Sequence, residues 1–273
     1  MSLHGGNFSG KFWQDILPEL TPQDAKALES KDKRLLTRSA PSTDPAQDPF
    51  SPQTLARQNP YLRATTLSTL NMHQHGELFV NFLRARRSVF IENKGWDLPQ
   101  VDDMEFDQYD TPRARWIVLH EYGEVMGGVR LMPTTSVCAQ YSYMLRDAQL
   151  GLLPDIPQDV LFFKAPVRDD IWEATRLFLS DAVAAHRRIA FQRILMNQMA
   201  GAAYAMGATH VLGIVPATFS RWMTRLRLMS AVPVGPVQNI DGDKTQAALM
   251  NVSYIGETLA NNETSLLQTT SAA

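Results

Sequence analysis

Cysteine is almost missing from this sequence, whose 273 residues include a single one, Cys138. One thiol can form neither an internal disulfide nor a cluster of thiolate zinc ligands. The pair His73 and His75 has no further His or Cys at ligand spacing beside it. We therefore expect a reducing, cytoplasmic setting and no metal site.

An excess of charge and long apolar runs are lacking as well. The chain carries 26 Lys and Arg against 28 Asp and Glu, a formal net charge of −2. This balance offers no sequence-wide basic field to attract nucleic acid. No stretch approaches the roughly 18 apolar residues of a membrane span, and the first residues lack the cationic start and apolar block of a secretory signal. We expect neither a nucleic-acid partner nor a membrane span.

Composition divides the chain into three parts. Residues 1–65 are rich in Pro, Ser, Asp and Gln, which predicts a polar, largely disordered N-terminal extension. Residues 257–273 are small, polar and unpatterned, which predicts a flexible tail. Residues 66–256 lie between them and are long enough to bury a core, so they are expected to form the folded domain.

Hydrophobic periodicity within the domain alternates between helix and strand. Residues 76–90 place apolar side chains at helical spacing, with Arg86 on the same face. The runs 115–120 and 125–133 flank the turn sequence EYGE and predict an antiparallel hairpin. The elements predicted after it are a strand at 172–179, a helix at 181–206, a strand at 210–216, a helix opened by Pro216 and a hairpin turning at Asp241 and Gly242. This order predicts an α/β fold, a three-layer sandwich around a single mixed sheet.

The same patterns predict which way individual side chains face. Strand alternation puts Glu173 and Thr175 on one side of the sheet, and Trp172 with Arg176 on the other. In the long helix at 181–206, three arginines are expected to face solvent: Arg187, Arg188 and Arg193.

Six charged residues lie in apolar or aromatic surroundings. They are Arg86, Arg130, Arg176, Asp107, Asp110 and Glu173. Taken singly, each fits an ordinary surface charge. Desolvated ions persist when they are paired and hydrogen-bonded, so three guanidiniums and three carboxylates predict one network lining one cleft.

Four sequence blocks carry a family resemblance: RRSVFIENKGWDLP, MEFDQYD, GGVRLMPTT and IWEATRLF. In this order and at this spacing they resemble the LuxI-type autoinducer synthases, the family that makes N-acyl-L-homoserine lactones. The resemblance covers roughly residues 76–255 and implies a fold similar to the GNAT acyltransferases. The residues that match the family pattern are Arg86, Phe90, Trp96, Asp107, Asp110, Arg130, Glu173 and Arg176.

The resemblance implies a reaction between S-adenosyl-L-methionine and an acylated acyl carrier protein. The substrate amine attacks the acyl thioester, and the methionine carboxylate then closes a lactone and expels methylthioadenosine. Both are substrates, so no resident cofactor is expected, and phosphopantetheine arrives on the acyl donor. An α-amine with a pKa near 8 needs a base at neutral pH, and Glu173 is the candidate.

The remaining site residues receive roles from the same resemblance. Arg130 and Arg176 are expected to act with Glu173 in catalysis. The substrate is expected to contact Arg86, Phe90 and Trp96, guanidinium on carboxylate and π-faces on the sulfonium and adenine. Asp107 and Asp110 would hold the ammonium and orient the arginines, and Thr175 stands where the family commonly has serine or threonine.

The acyl donor has its own expected residues. Arg221, Arg225 and Arg227 provide a positive patch on which an acidic carrier protein would dock. A lipophilic tunnel for the fatty chain is expected from Met196, Met199, Leu212, Ile214, Phe219, Trp222 and Met223. Gly213 and Val215 lie where related enzymes for 3-oxo donors carry a threonine, so the expected acyl chain is unsubstituted or 3-hydroxylated. Gln149 and Leu150 occupy a region where the family often has phenylalanine.

Two other functions stay open from the sequence. One is a GNAT-type N-acyltransferase that uses acyl-coenzyme A. The helix start DAVAAHRRIAFQR lacks the Gln/Arg-x-x-Gly-x-Gly/Ala loop that cradles the coenzyme pyrophosphate, which disfavours it. The other is a catalytically silent synthase-like protein that binds adenosylmethionine or acyl chains.

Overall fold

One mixed sheet organises the part of the chain that the computed structural model describes, residues 58–225 and 231–253. Its strands are β1 (Leu62–Leu67), β4 (Arg115–Glu121), β5 (Glu124–Pro133), β6 (Ile171–Leu179), β7 (His210–Pro216), β8 (Ala231–Pro233), β9 (Gln238–Ile240) and β10 (Asp243–Asn251). They lie in the order β1-β4-β5-β6-β7-β10-β8, and β9 pairs with β10. Two short strands, β2 (Gln100–Val101) and β3 (Met104–Glu105), form a separate ribbon.

The β6–β7 pair is parallel, whereas the other strand pairs are antiparallel. Its ladder is short: it joins Ile171, Trp172 and Glu173 to His210, Val211 and Leu212. Both strands continue past this ladder, to Leu179 and Pro216. The centre of the sheet is therefore split on one side of Glu173.

Helices cover both faces of the sheet and make three layers. The α-helices are α1 (Leu78–Arg87), α2 (Met144–Gln149), α3 (Arg188–Ala205) and α4 (Phe219–Arg225). A π-helical turn, Ser88–Asn93, continues α1, and short 3-10 turns lie at Met72–His75 and Ala185–Arg187. Side chains of α1 and α2 pack on one face, and those of α3 and α4 on the other. The predicted α/β sandwich with a single mixed sheet is confirmed.

Strand alternation divides the central strands between the two faces. Val129 and Leu131 of β5 pack toward α3, while Gly128 and Arg130 point to the α1 side. A Cβ at Gly128 would lie 2.6 Å from the Phe82 ring of α1, so glycine allows the helix to approach the strand closely.

Both predicted hairpins are confirmed. The β4–β5 turn has positive φ at Tyr122 (51°) and Gly123 (87°), and the β9–β10 turn at Asp241 (51°) and Gly242 (84°). Two consecutive positive φ angles match the right-handed twist of the flanking strands, which explains the glycine at the second position.

The helices start later than the periodicity predicts. The hydroxyl of Ser180 accepts the Ala182 N–H at 3.2 Å, and this local turn competes with helix formation ahead of Arg188. The second helix starts late for a different reason. Pro216 is the last residue of β7 and pairs with Thr245, so α4 begins only at Phe219.

One predicted orientation in α3 is wrong. Arg193 is 6% exposed and does not face solvent. Phe191, Leu195 and Met196 are buried beside it, so the buried stripe of α3 is wider than its apolar residues indicate.

The edge strand β1 crosses the boundary expected between residues 65 and 66. Leu62–Leu67 pairs along its length with Glu121–Trp116 of β4, so the sheet begins before that boundary. Within residues 58–225 and 231–253, no helix is long and apolar enough to cross a bilayer.

Candidate active site

Six charged side chains on the α1/α2 face of the sheet form a closed ring of alternating sign. In order around the ring they are Arg86, Glu105, Arg176, Asp107, Arg130 and Asp110, and an ion pair joins each to the next. Arg86 donates hydrogen bonds to both Asp110 oxygens, at 2.8 and 3.1 Å. Arg130 likewise donates to both oxygens of Asp107. We call these six residues the charge ring.

The carboxylates of the charge ring are held by the turn that follows β3. Asp107 accepts the Tyr109 N–H at 2.9 Å through its side chain, and Asp110 accepts the Asp107 N–H at 3.0 Å. Such Asx hydrogen bonds fix a turn through its own acidic side chains. The Trp116 indole N–H also donates to Asp110, at 2.9 Å. The spacing D-x-x-D therefore orients both carboxylates before any substrate binds.

Mutual pairing outweighs the effect of burial on the pKa values of Asp107, Asp110 and Arg130. Burial would raise the pKa of Asp107, but the Arg130 and Arg176 guanidiniums outweigh it and lower this pKa below its ordinary value. The pKa of Asp110 is lowered too, because Arg130 and Arg86 overcome the effect of its burial. Burial would lower the pKa of Arg130, yet the charges of Asp107 and Asp110 raise it.

Glu105 is the ring member that sequence reasoning missed. It is fully buried and bridges Arg86 to Arg176, at 3.1 Å from the Nη2 atom of Arg176. Its signal in the sequence is the spacing Glu105-x-Asp107 in MEFDQYD, since residues two apart in extended backbone share a face.

A β-bulge brings Arg176 into the charge ring. The β5–β6 register slips between Gly128 and Arg130, so Arg176 and Leu177 together face Val129. Arg176 has a φ of 56°, a left-handed conformation that non-glycine residues seldom adopt. The prediction that Arg176 lies opposite Thr175 is wrong, because the extra residue turns Arg176 to the same face. There the Thr175 hydroxyl accepts a hydrogen bond of 2.9 Å from Arg130 Nε.

Glu173 lies beside the charge ring but is not one of its members. Its two oxygens accept the backbone N–H groups of Met144 (2.9 Å) and Leu145 (2.8 Å), the first residues of α2. The N-cap residue Tyr143 makes no side-chain cap, so a glutamate from β6 caps this helix. The expectation that Glu173 is paired within the network is corrected: Glu105 holds that place.

The environment of Glu173 raises its pKa to about 7. Burial is the largest cause, and the charge of Asp147 adds to it. The amides of Leu145 and Met144 and the charge of Arg130 act in the opposite direction. A carboxylate with this pKa can accept a proton near neutral pH.

An aromatic wall adjoins the charge ring. Phe90 and Trp96 stack with their ring centroids 5.2 Å apart, and the Arg176 guanidinium lies 5.7 Å from the Phe90 ring centroid. Lys94 lies over the other ring, 4.6 Å from the Trp96 centroid. The π-helical turn after α1 carries Phe90 and displaces it by one residue from the α-helical register.

The sequence predicts that the Arg86 guanidinium contacts the substrate carboxylate, and the structure corrects this prediction. The Arg86 side chain is fully buried, and its nitrogens donate to Glu105 and Asp110. An enclosed guanidinium with these partners cannot grip a substrate carboxylate directly. Arg176, with 10% of its side chain exposed, is the ring's guanidinium with open surface.

A cavity of about 710 Å³ lies on the other face of the sheet, where β6 and β7 separate. It is lined by the ends of β6 and β7 and by α3 and α4, with Arg188, Gln192, Thr218 and Arg221 as its polar residues. Phe178 also lines it, and the same ring packs against Phe90, 5.8 Å between centroids. The aromatic wall and the cavity therefore share Phe178.

The predicted tunnel and docking residues divide into groups. Met196, Phe219 and Trp222 line the cavity, and Arg221 lies on its exposed side. Met199 and Met223 are fully buried in the core of the α3/α4 face, and Leu212 and Ile214 point to the opposite face of β7, so seven residues do not form one tunnel. The Arg225 side chain and the whole of Arg227 lie outside the described part of the chain.

The family model described as autoinducer synthase matches residues 69–256. The chain belongs to the autoinducer synthase family. Among its curated relatives, an acyl-homoserine-lactone synthase of Pseudomonas aeruginosa is 31% identical over 163 residues, 59% of this chain and 72% of the relative. A synthase of the same name from Aeromonas salmonicida is 29% identical, over 63% and 82%. The expectation of an acyltransferase enzyme is confirmed.

Solved structures of acyl-homoserine-lactone synthases share the fold of this autoinducer synthase. TofI, in a ternary complex with an inhibitor and MTA, superposes with a TM-score of 0.55 at 23% identity, covering 70% of this chain and 91% of TofI. BjaI, described as a CoA-dependent acyl-homoserine lactone synthase with SAM and isopentyl-CoA, gives 0.57 at 21% identity, covering 74% and 89%.

Removal of one carboxylate from the charge ring is expected to lower the free energy of unfolding. Glu105→Gln leaves Arg86 without one of its buried partners, and breaking a buried pair costs about 3–5 kcal/mol. Urea unfolding followed by tryptophan fluorescence measures the loss. The control, Glu92→Gln, breaks the exposed pair with Arg87 and should cost less than about 1 kcal/mol. Equal losses for the two variants would contradict a stabilising ring.

Proposed function

We propose that this autoinducer synthase makes N-acyl-L-homoserine lactones from S-adenosyl-L-methionine and an acyl thioester carried by acyl carrier protein. The observation that carries the proposal is the position of Glu173: a buried base next to the charge ring, at the end of the β6–β7 ladder. The family match and the relatives named acyl-homoserine-lactone synthase support the same reaction.

The amino acid part of adenosylmethionine fits the exposed side of the charge ring. Arg176 offers the open guanidinium for the substrate carboxylate, and Asp107, 7% exposed, lies next to it for the ammonium. The stacked rings of Phe90 and Trp96 offer π-surface to the sulfonium and adenine. In this arrangement Arg86 and Arg130 position the carboxylates that touch substrate.

Acyl transfer begins when Glu173, directly or through a water molecule, removes a proton from the substrate ammonium. The amine lone pair attacks the thioester carbonyl carbon, the carbon–sulfur bond breaks, and the departing pantetheine thiolate takes up the proton that the nitrogen loses as the amide forms. The amide is then complete. A carboxylate oxygen of the same methionine attacks its γ-carbon, the bond from this carbon to the sulfonium breaks, and the sulfur keeps the electron pair. Neutral methylthioadenosine leaves and the lactone is closed.

The cavity on the α3/α4 face suits the acyl donor. Its volume of about 710 Å³ lies within the range of ligand pockets, and side chains such as Leu195, Met196 and Trp222 give it an apolar lining. Arg188 and Arg221 on its wall suit the phosphate of a phosphopantetheine arm or the acidic surface of a carrier protein.

Coenzyme A is the second candidate donor. The structural relative BjaI is described as CoA-dependent, and Arg188 and Arg221 would also attract the phosphates of a coenzyme. Purified enzyme given adenosylmethionine with either acyl carrier protein or acyl-coenzyme A, matched in chain length, separates the two donors by kcat/KM. A silent ligand-binding protein would release neither methylthioadenosine nor thiol.

Glu173→Gln is expected to lower kcat by about 10²–10⁴-fold, the usual contribution of a general base. The wild-type rate should rise with pH through about 7, since Glu173 accepts a proton only in its ionised form. Methylthioadenosine release measured between pH 5.5 and 8.5 provides both results. Glu124→Gln, at the exposed first position of β5, serves as the control and should keep the wild-type profile. An active Glu173→Gln enzyme would rule out this base.

Arg221→Glu is expected to raise KM for acyl carrier protein about tenfold, as reversal of one rim charge slows an electrostatically steered encounter. KM for adenosylmethionine should stay constant, because Arg221 lines the cavity on the opposite face of the sheet from the charge ring. Arg63→Glu, on the edge strand β1, reverses an exposed arginine at the far side of the sheet and is the matched control. Equal KM values for the carrier in both variants would argue against docking at Arg221.

The product is expected to carry an acyl chain without a 3-oxo group. Gly213 and Val215 offer no hydroxyl on β7, and a Cβ at Gly213 would lie 2.7 Å from the Ala174 carbonyl oxygen, so this strand position has no room for threonine. Mass spectrometry of lactones extracted from an expressing culture identifies the chain. Mainly 3-oxo products would contradict this expectation.

A further inference from the structure

Asp147 is a fully buried carboxylate near Glu173. It is not a member of the charge ring, and the proposed reaction assigns it no role. It lies on α2, and neutral groups donate its hydrogen bonds. The Ser142 N–H reaches both of its oxygens at 3.0 Å, the Ser142 hydroxyl donates at 2.6 Å, and the Tyr109 hydroxyl at 3.0 Å. A buried charge held in this way is costly to keep, which suggests that its position serves a purpose.

The hydrogen bonds of Asp147 enclose the two amides that hold Glu173. Ser142 precedes Met144 and Leu145 in the chain, and Asp147 follows them. The Asp147 side chain binds Ser142, and its own N–H donates to the Tyr143 carbonyl at 2.9 Å. Residues 142–147 are therefore closed into one rigid turn, and the direction of the Met144 and Leu145 N–H groups depends on it.

We propose that Asp147, together with Ser142 and Tyr109, is a positioning residue that holds the N-terminus of α2 against Glu173 and thereby fixes the proposed base. The proposal rests on the role of Glu173 given above. Tyr109 links the two parts of the site, because its ring also faces the Arg130 guanidinium, 5.5 Å from centroid to Cζ.

Asp147 acts on Glu173 by charge as well as by position. The groups with electrostatic influence around Glu173 are Arg130 on β5, Tyr109 in the turn after β3, Tyr143 ahead of α2 and Asp147 on α2. The two helix amides and Arg130 favour the ionised carboxylate and would weaken it as a base. Burial is the main reason that the pKa of Glu173 is raised, and the negative charge of Asp147 raises it further.

The decisive measurement is the titration of Glu173 in the full-length protein. Glutamate labelled with ¹³C at the side-chain carboxyl gives a resonance that Glu173→Gln identifies by its disappearance. Asp147→Asn keeps the shape of the side chain but removes its charge, so the Glu173 midpoint should fall, as expected for loss of a nearby like charge. Asp155→Asn removes the same charge from an exposed loop position and should leave the midpoint unchanged. An unchanged midpoint in Asp147→Asn would overturn the proposal.

Kinetics test the positioning role separately. Asp147→Asn should lower kcat about ten- to a hundredfold, the scale of a small displacement at a reacting group, and move the acid limb to lower pH. Ser142→Ala and Tyr109→Phe leave the charge of Asp147 in place. Each should therefore lower kcat, while the rise of the rate with pH keeps its wild-type midpoint. KM for adenosylmethionine should stay within about twofold in Ser142→Ala, since only the base is displaced.

The outcomes separate this proposal from the proposed function. If Asp147→Asn does not fold, the kinetics of Ser142→Ala and Tyr109→Phe test the positioning role of Asp147. A wild-type kcat in both of these variants would overturn the positioning proposal. If the Glu173 midpoint falls in Asp147→Asn but Glu173→Gln retains full activity, the coupling between the two carboxylates stands and the assignment of Glu173 as the base fails.

Discussion

The site depends on burying three guanidiniums and three carboxylates in exact balance of charge. Each ion would be very costly to bury alone, and the closed ring gives every one of them two partners of opposite sign. The balance has a second effect. Because the arginines of the ring are matched by Glu105, Asp107 and Asp110, no guanidinium remains to pair with Glu173. Burial therefore raises the pKa of Glu173 to about 7, whereas the arginines beside Asp107 and Asp110 hold the pKa of each of these two carboxylates below its ordinary value.

The ring also requires a backbone distortion. Regular strand alternation would direct Arg176 toward α3 and leave Glu105 and Asp107 each short of one partner. The bulge in β6 places Thr175 and Arg176 on one face and costs a positive φ at a non-glycine residue. Strain of this kind persists where surrounding contacts determine the conformation, and here the two ion pairs of Arg176 do so.

The sequence predicted those parts of the site that depend on local pattern. Arg86 on the buried face of a helix follows from 3.6-residue spacing, and the two hairpins follow from their turn residues. Asp147 gave no such signal, since its role depends on how α2 docks against β6. The bulge could not be found either, because one extra residue in a strand is decided by pairing between β5 and β6. The wrong face for Arg176 and the missing Glu105 both come from tertiary contacts of this kind.

The split in the sheet brings the cavity next to the aromatic wall. The charge ring and the aromatic wall lie on the α1/α2 face, while the cavity lies on the α3/α4 face, and a continuous sheet would separate them. The parallel ladder between β6 and β7 ends at Glu173 and Leu212. Beyond that point the strands no longer pair, and Phe178 contacts both the cavity and the aromatic wall. A longer ladder would add hydrogen bonds and stability to the sheet, but it would close the gap between β6 and β7 at which the cavity lies. In the proposed reaction, an amine bound on one face would meet a thioester bound on the other at this gap.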